Sequence, residues 1–156
     1  LGEVSADPPV RFAGYAAVFD KVDRGGDVIR GGAFAKMPAA VPLLWQHRGN
    51  PVGTIERIAT DDTGLRVIGR LEDARLARLV RDGAVAGLSI GYRTLAARKG
   101  RIRELTALDL VEVSLVAQPM QPAARVHMVQ GPAMAPAPDL VPIPGRPRAD
   151  EEHDHG

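Results

Sequence analysis

Gly87-Leu88-Ser89-Ile90-Gly91-Tyr92-Arg93-Thr94 decides the fold, because it can be read in two incompatible ways. As G-x-S-x-G it matches the serine elbow of α/β-hydrolases, in which a strand turns sharply into a helix at the serine. Here the residues after Ser89 alternate instead. Ile90, Tyr92 and Thr94 fall on one face and Gly91 and Arg93 on the other, the period of a strand. A 156-residue chain is also short for the long doubly wound sheet that such a hydrolase needs. The elbow fold is therefore rejected, while the serine stays. Flanking glycines let the backbone bend closely and leave the hydroxyl unobstructed. A strand serine between two glycines at a bulge has the same appearance, and the motif alone does not separate the two.

Working outward, strand signals dominate. Val10 to Phe19 alternates, with Gly14 marking a bulge or close backbone approach. Pro42 to His47 reads as a short buried strand running into a turn at Arg48-Gly49-Asn50-Pro51. Val52 to Thr60 and Leu65 to Leu71 flank Asp61-Asp62-Thr63-Gly64, a hairpin with glycine where a positive φ is wanted. Leu88 to Ala96 and Arg101 to Leu105 are broken at Lys99-Gly100, and Ala107 to Val116 is the most apolar stretch. One helix is clear, capped by Asp73, striped by Leu76, Leu79 and Val80, and ended by Gly83. A shorter one is expected near Gly32 to Met37. Short strands joined by tight turns predict a mainly antiparallel barrel or sandwich in one domain.

That domain spans residues 10–130, after an N-terminal segment 1–9. Residues 131–156 form a tail with six prolines between Gly131 and Arg148, which block helix and sheet and predict an extended linker. Its end, Asp150 to His155, is a polar run best read as solvated, with weak metal binding the lesser reading. The opening Leu1-Gly2 in place of Met suggests a processed or trimmed chain.

Composition narrows the chemistry. The chain has no cysteine, so a disulfide framework, a thiol nucleophile and a cysteine-ligated zinc are excluded. A net charge of +1 speaks against a strongly cationic nucleic-acid binder, although Arg98 to Arg103 forms a basic patch. No apolar run approaches the roughly 20 residues that cross a bilayer, and no signal segment opens the chain.

A serine nucleophile needs a base, and the base needs a group to hold its tautomer. Of four histidines, His153 and His155 lie in the tail. That leaves His47, at the end of an apolar strand, and His127 as second choice. The acids of the last strand are Asp109 and Glu112. By alternation Glu112 shares a face with Leu110 and Ser114, and an acid among aliphatic neighbours needs a partner. Glu112 is thus the better orienting acid, with Asp109 the alternative. Ser114 is a rival serine whose neighbours suggest packing.

Four blocks in order resemble the prohead (capsid-maturation) protease family of tailed phages and gene-transfer particles. They are Gly14 to Phe19 with Asp23, Gly26-Asp27-Val28 and Gly31-Gly32-Ala33-Phe34; Pro42 to His47 with Pro51-Val52-Gly53; Asp82-Gly83 with Gly87 to Tyr92; and Leu110 to Val116 with Pro119 and Ala123. The resemblance implies a β-barrel wrapped by a few helices, similar to the herpesvirus assembly protease. It also implies Ser89 as nucleophile, His47 as base and Glu112 as third member, acting without metal or organic cofactor. Gly87, Gly91, Arg93 or Arg125 are candidates for the oxyanion hole. The implied substrate is scaffold, or the scaffold-like N-terminal extension of the major capsid protein, inside an immature shell in the bacterial cytoplasm. No membrane or specific nucleic-acid partner is implied, and the oligomeric state stays open, with a dimer as one candidate. Two other readings compete: an inactive barrel of the same ancestry with a structural or scaffold role, and a non-protease esterase.

Overall fold

The computed structural model describes residues 9–130 and 141–142. Its elements are β1 (Val10–Val18), β2 (Asp27–Ile29), β3 (Pro42–Trp45), β4 (Arg48–Thr60), β5 (Gly64–Leu71), α1 (Ala74–Arg81), β6 (Gly87–Lys99), β7 (Arg103–Val116), β8 (Val126–Val129) and β9 (Val141–Pro142). The expected mainly β architecture is what forms. The strands run in the order β2-β7-β3-β4-β5-β1-β8-β9, with β6 along the other side of β7. They curl around one core containing Phe12, Leu43, Leu65, Leu71, Leu88 and Leu115.

The barrel is not closed by a continuous ladder. Between β6 and the chain entering β8 there is an isolated bridge, Gly87 to Arg125. Beside it, Leu88 N–H donates to the Ala124 carbonyl and Val126 N–H to that of Ala86, each at 2.8 Å. This short seam matters because it lies at the start of β6, directly before Ser89.

The β4–β5 hairpin forms where the sequence puts it. Asp61 Oδ1 accepts the N–H groups of Thr63 (2.8 Å) and Gly64 (3.0 Å), the usual way an aspartate organises its own turn. Gly64 is not among the positive-φ residues. Glycine is needed there because a Cβ would sit 2.0 Å from the Ala17 carbonyl oxygen. Burial draws β1 that close, so packing rather than turn chemistry selects the residue.

Helix α1 is capped as expected, with Leu76 N–H donating to Asp73 Oδ1 at 3.0 Å and Gly83 in the left-handed region at φ +82°. Its buried side is Leu76, Ala77 and Val80, whereas Leu79 is exposed. It is the one α-helix among the described residues. The segment from Gly32 to Met37 makes turns, not the expected helix. Gly32 has φ +91°, and the Ala33 carbonyl accepts the Leu108 N–H at 2.9 Å, which ties the segment to β7 with Ala33 and Phe34 in the core.

The strands expected at 101–105 and 107–116 are one strand. β7 stays continuous because β2 pairs in parallel with Arg103–Leu105 and β3 with Val113–Leu115 along one of its sides, while β6 runs along the other. The bidentate Arg103–Asp27 pair, at 2.8 and 3.0 Å, fixes the first junction. The proline-rich tail and its terminal His153 and His155 lie outside the described residues, apart from Val141–Pro142. That pair adds antiparallel to β8, at the outer end of the strand order, a place where proline is tolerated.

Candidate active site

His47 is not at a strand end before a turn; it is the turn. Trp45 pairs with Arg48, so Gln46 and His47 alone connect β3 to β4. Both have positive φ, +55° and +64°, as a two-residue hairpin turn whose twist matches its strands requires. For residues other than glycine this region is uncommon. The turn is held in place by the segment that follows Glu112. Gln46 N–H donates to the Leu115 carbonyl at 2.9 Å, Ala117 N–H donates to Gln46 Oε1 at 2.8 Å, and His47 N–H donates to Ser114 Oγ at 3.0 Å.

The imidazole reaches Glu112 from there. Its Nδ1 lies 2.5 Å from Glu112 Oε2, with the carboxylate side chain 10% exposed and the imidazole 42%. The second carboxylate oxygen, Oε1, accepts the Ser114 hydroxyl at 2.7 Å. Gly91 pairs with Glu112 across the sheet, and a Cβ on Gly91 would stand 2.3 Å from Oε2. The second glycine of the serine motif therefore makes room for the acid.

Register places the serine beside this pair. Ser89 on β6 is opposite Ser114, and opposed residues share a face, so Ser89, Gly91, Glu112 and Ser114 lie on one side of the sheet. Leu110 does not join them. Between Gly91 and Tyr92 the register skips Val111, a bulge that reverses the alternation and turns Leu110 into the core. Ser89 and His47 are not on adjacent strands either: β7 runs between β6 and β3. Both line a cleft of about 180 Å³, together with Ile90, Tyr92, Asp27 and Met120. A larger groove of about 780 Å³ beside the β4–β5 hairpin has neither serine nor histidine in its lining, so it lacks the groups for this chemistry.

Other candidates are accounted for elsewhere. Asp109 is half-exposed and faces Arg93 at 3.9 Å. His127 meets Tyr15 edge-on, with ring centroids 5.9 Å apart. Arg125 Nε donates to the Pro122 carbonyl at 2.9 Å. Ser114 is fully buried, which removes it as a nucleophile. Its hydroxyl nevertheless has a polar task that its aliphatic neighbours hid from sequence reasoning. At the far wall, the Arg103 guanidinium holds the Asp27 carboxyl below the usual carboxylate range. Burial first, then the charges of Asp27 and Asp23, push the Tyr92 phenol up. Among the described residues no group of three or more His, Asp or Glu side chains is arranged to hold a metal ion.

A histidine clamped by a carboxylate, sharing a cleft with a serine, is the equipment of a serine-type hydrolase. The comparisons carry this to a family. Residues 3–136 match the Caudovirus prohead serine protease family, and the chain belongs to it. The prohead protease of Enterobacteria phage HK97 is 36% identical over 92 residues, 52% of this chain and 41% of that protein. The chain thus spans well under two thirds of that relative's length. Among solved structures, the KSHV protease in complex with a hexapeptide phosphonate inhibitor is similar in fold at a TM-score of 0.56. The match has 12% identity and covers 76% of this chain and 64% of that one.

Proposed function

We propose that this chain is a serine endopeptidase of prohead maturation, with Ser89 as nucleophile, His47 as general base and Glu112 as the orienting acid. The observation that carries the reading is the 2.5 Å approach of His47 Nδ1 to Glu112 Oε2, with His47 lining the same cleft as Ser89. With its proton on Nδ1 and donated to Glu112, the ring leaves Nε2 as the acceptor. Ser89 Oγ attacks a peptide carbonyl carbon and its proton passes to Nε2. The tetrahedral intermediate collapses, the C–N bond breaks, and Nε2 returns the proton to the leaving amine. Water then repeats the sequence on the acyl-enzyme. Glu112 keeps the tautomer and stabilises the imidazolium without itself taking a proton.

Family membership supports scaffold, or the scaffold-like extension of the major capsid protein, as substrate, inside the prohead in a bacterial cell. The test has two stages. An alkyl fluorophosphonate should label the wild-type chain, and Ser89→Ala and His47→Ala should not be labelled. Co-expression with the capsid precursor should then give a shortened capsid subunit that Ser89→Ala does not produce. Labelling without cleavage would make the chain an esterase. Neither activity would make it a structural relic of the family.

A further inference from the structure

Ser114 sits where three elements meet. It lies in β7 opposite Ser89 of β6 on one side and Leu44 of β3 on the other, and it is completely buried. We propose that Ser114 is the positioning residue of the base, its one hydroxyl fixing both the main chain of His47 and the carboxylate that orients the imidazole. The proposal rests on the roles given to His47 and Glu112 above.

The direction of the two bonds is set by chemistry. The His47 N–H can only donate, so Ser114 Oγ accepts it, at 3.0 Å. The hydroxyl has one proton, and an ionised carboxylate can only accept. That proton is therefore given to Glu112 Oε1, at 2.7 Å. Glu112 has Ser114 on one oxygen and His47 on the other, which leaves its carboxylate plane little freedom to rotate. His47 in turn is held by its N–H at one end and its ring at the other. A non-glycine residue at φ +64° persists where its surroundings over-determine it, and the Ser114 bond is one of those determinants.

The surroundings of Ser114 give no simpler reason for a hydroxyl. By alternation its side chain shares a face with those of Glu112 and Val116, both buried, and an unbonded hydroxyl enclosed there would be costly. A residue that only filled space here would be aliphatic. Opposition to Ser89 adds a geometric consequence: base, acid and nucleophile are all referenced to one backbone position. An error at Ser114 would spread to all three.

The experiment uses the full chain, an alkyl fluorophosphonate as probe and the downfield NMR signal of the His47 Nδ1 proton. Ser114→Ala should melt within a few degrees of the wild type. Its maximal labelling rate should fall about 10–100-fold, part of the roughly 10²–10⁴-fold that a general base supplies, with little change in the half-saturating probe concentration. The Nδ1 proton signal should broaden or move upfield. Ser114→Thr, which keeps the hydroxyl, should recover most of both. Should the alanine chain melt early, Ser114→Cys, close in volume but a weak hydrogen-bonding group, should show the same losses. A folded Ser114→Ala or Ser114→Cys with wild-type labelling and an unmoved signal overturns the proposal, as does equal damage from threonine and alanine. If Ser89→Ala and His47→Ala are labelled like the wild type, the active-site reading falls and this proposal with it. If both are silent while a Ser114 variant runs at full rate, only the positioning role falls.

Discussion

His47 Nδ1 and Glu112 Oε2 are 2.5 Å apart, although 65 residues separate them in the chain. The contact exists because the β3–β4 turn is folded back onto β7, so the imidazole comes from a hairpin tip and the carboxylate from the strand beneath it. Glu112→Gln keeps the shape but not the charge, and it can turn its amide so that a donor faces Nδ1. It should therefore leave the melting temperature nearly unchanged and slow peptide cleavage by roughly 10²–10⁴-fold through loss of the correct tautomer and its counter-charge. Asp109→Asn, which disturbs an exposed pair with Arg93, should leave the rate within about twofold, as expected where exposed pairs contribute little. A matched cleavage assay of the two variants decides the point, and the reverse order would move the orienting role to Asp109.

Gly91→Ala tests the same carboxylate from across the sheet. In a strand interior this change would ordinarily be mildly stabilising. Here the new methyl would stand 2.3 Å from Glu112 Oε2, so the acid must move. We expect a loss of about 1–3 kcal/mol, the usual cost of overpacking, and labelling at least about tenfold slower. Gly100→Ala is the control, since its nearest neighbour would be 3.8 Å away. Equal behaviour of the two in urea melts and probe labelling would show that the clash is relieved without moving Glu112.

How far these relationships can be read from sequence follows from their range. The β4–β5 hairpin and α1 were legible because local groups decide them: Asp61 makes its own turn and Asp73 its own cap. The turn at Gln46-His47 was missed because Arg48-Gly49-Asn50-Pro51 is the stronger local turn signal. The β7 contacts to Leu115, Ser114 and Ala117 override it. The face of Leu110 was missed for a similar reason. A bulge at Val111 leaves no mark in period-two alternation, since it arises from pairing with Gly91 and Tyr92. Ser114 read as packing because burial is visible in aliphatic neighbours, whereas a hydrogen bond to a residue 67 positions away is not. His47, Ser89 and Glu112 could be named as candidates because the family blocks carry residue types in order, whereas the strand β7 that runs between β6 and β3 leaves no such mark.

Acid sensitivity should centre on carboxylates at the barrel's junctions. Arg103 lowers the Asp27 carboxyl from its usual range by hydrogen bonding, against the opposing effect of burial. At Asp61 burial pushes upward, but the Tyr15 hydroxyl and the Gly64 and Thr63 N–H groups outweigh it and the carboxyl is also lowered. A group whose folded pKa is depressed stabilises the fold above its unfolded value, about 3.9 for aspartate. That contribution is lost as pH falls through the lower folded value. Urea midpoints should therefore drop from about pH 5 downward. Asp27→Asn and Asp61→Asn should each be less stable at neutral pH and show a shallower drop. A variant with the wild-type slope would show that its carboxyl is not linked to folding.

Folding should not depend on the proline-rich tail. Val129 and Gln130 are buried, and Gln130 N–H donates to the Arg11 carbonyl at 2.8 Å, so the boundary of the folded unit lies no earlier than Gln130. Beyond it, Val141–Pro142 pairs with Met128 and Val129, a two-residue addition at the end of the strand order that should contribute little by itself. The remaining stretch lies outside the described residues; its sequence is rich in proline and poor in large apolar side chains, so it offers little to bury. A chain ending at Gln130 should therefore melt within a few degrees of the full-length protein and label with fluorophosphonate at the same rate. If the tail holds the enzyme among its substrates, the gain is one of effective concentration. The shortened chain should then be incorporated less into assembling shells, or cleave assembled capsid subunits more slowly, while acting normally on a free peptide. A drop of several degrees on truncation would show that β9 and its flanks pack onto β8 as part of the barrel. The tether role would then fail before any capsid is made.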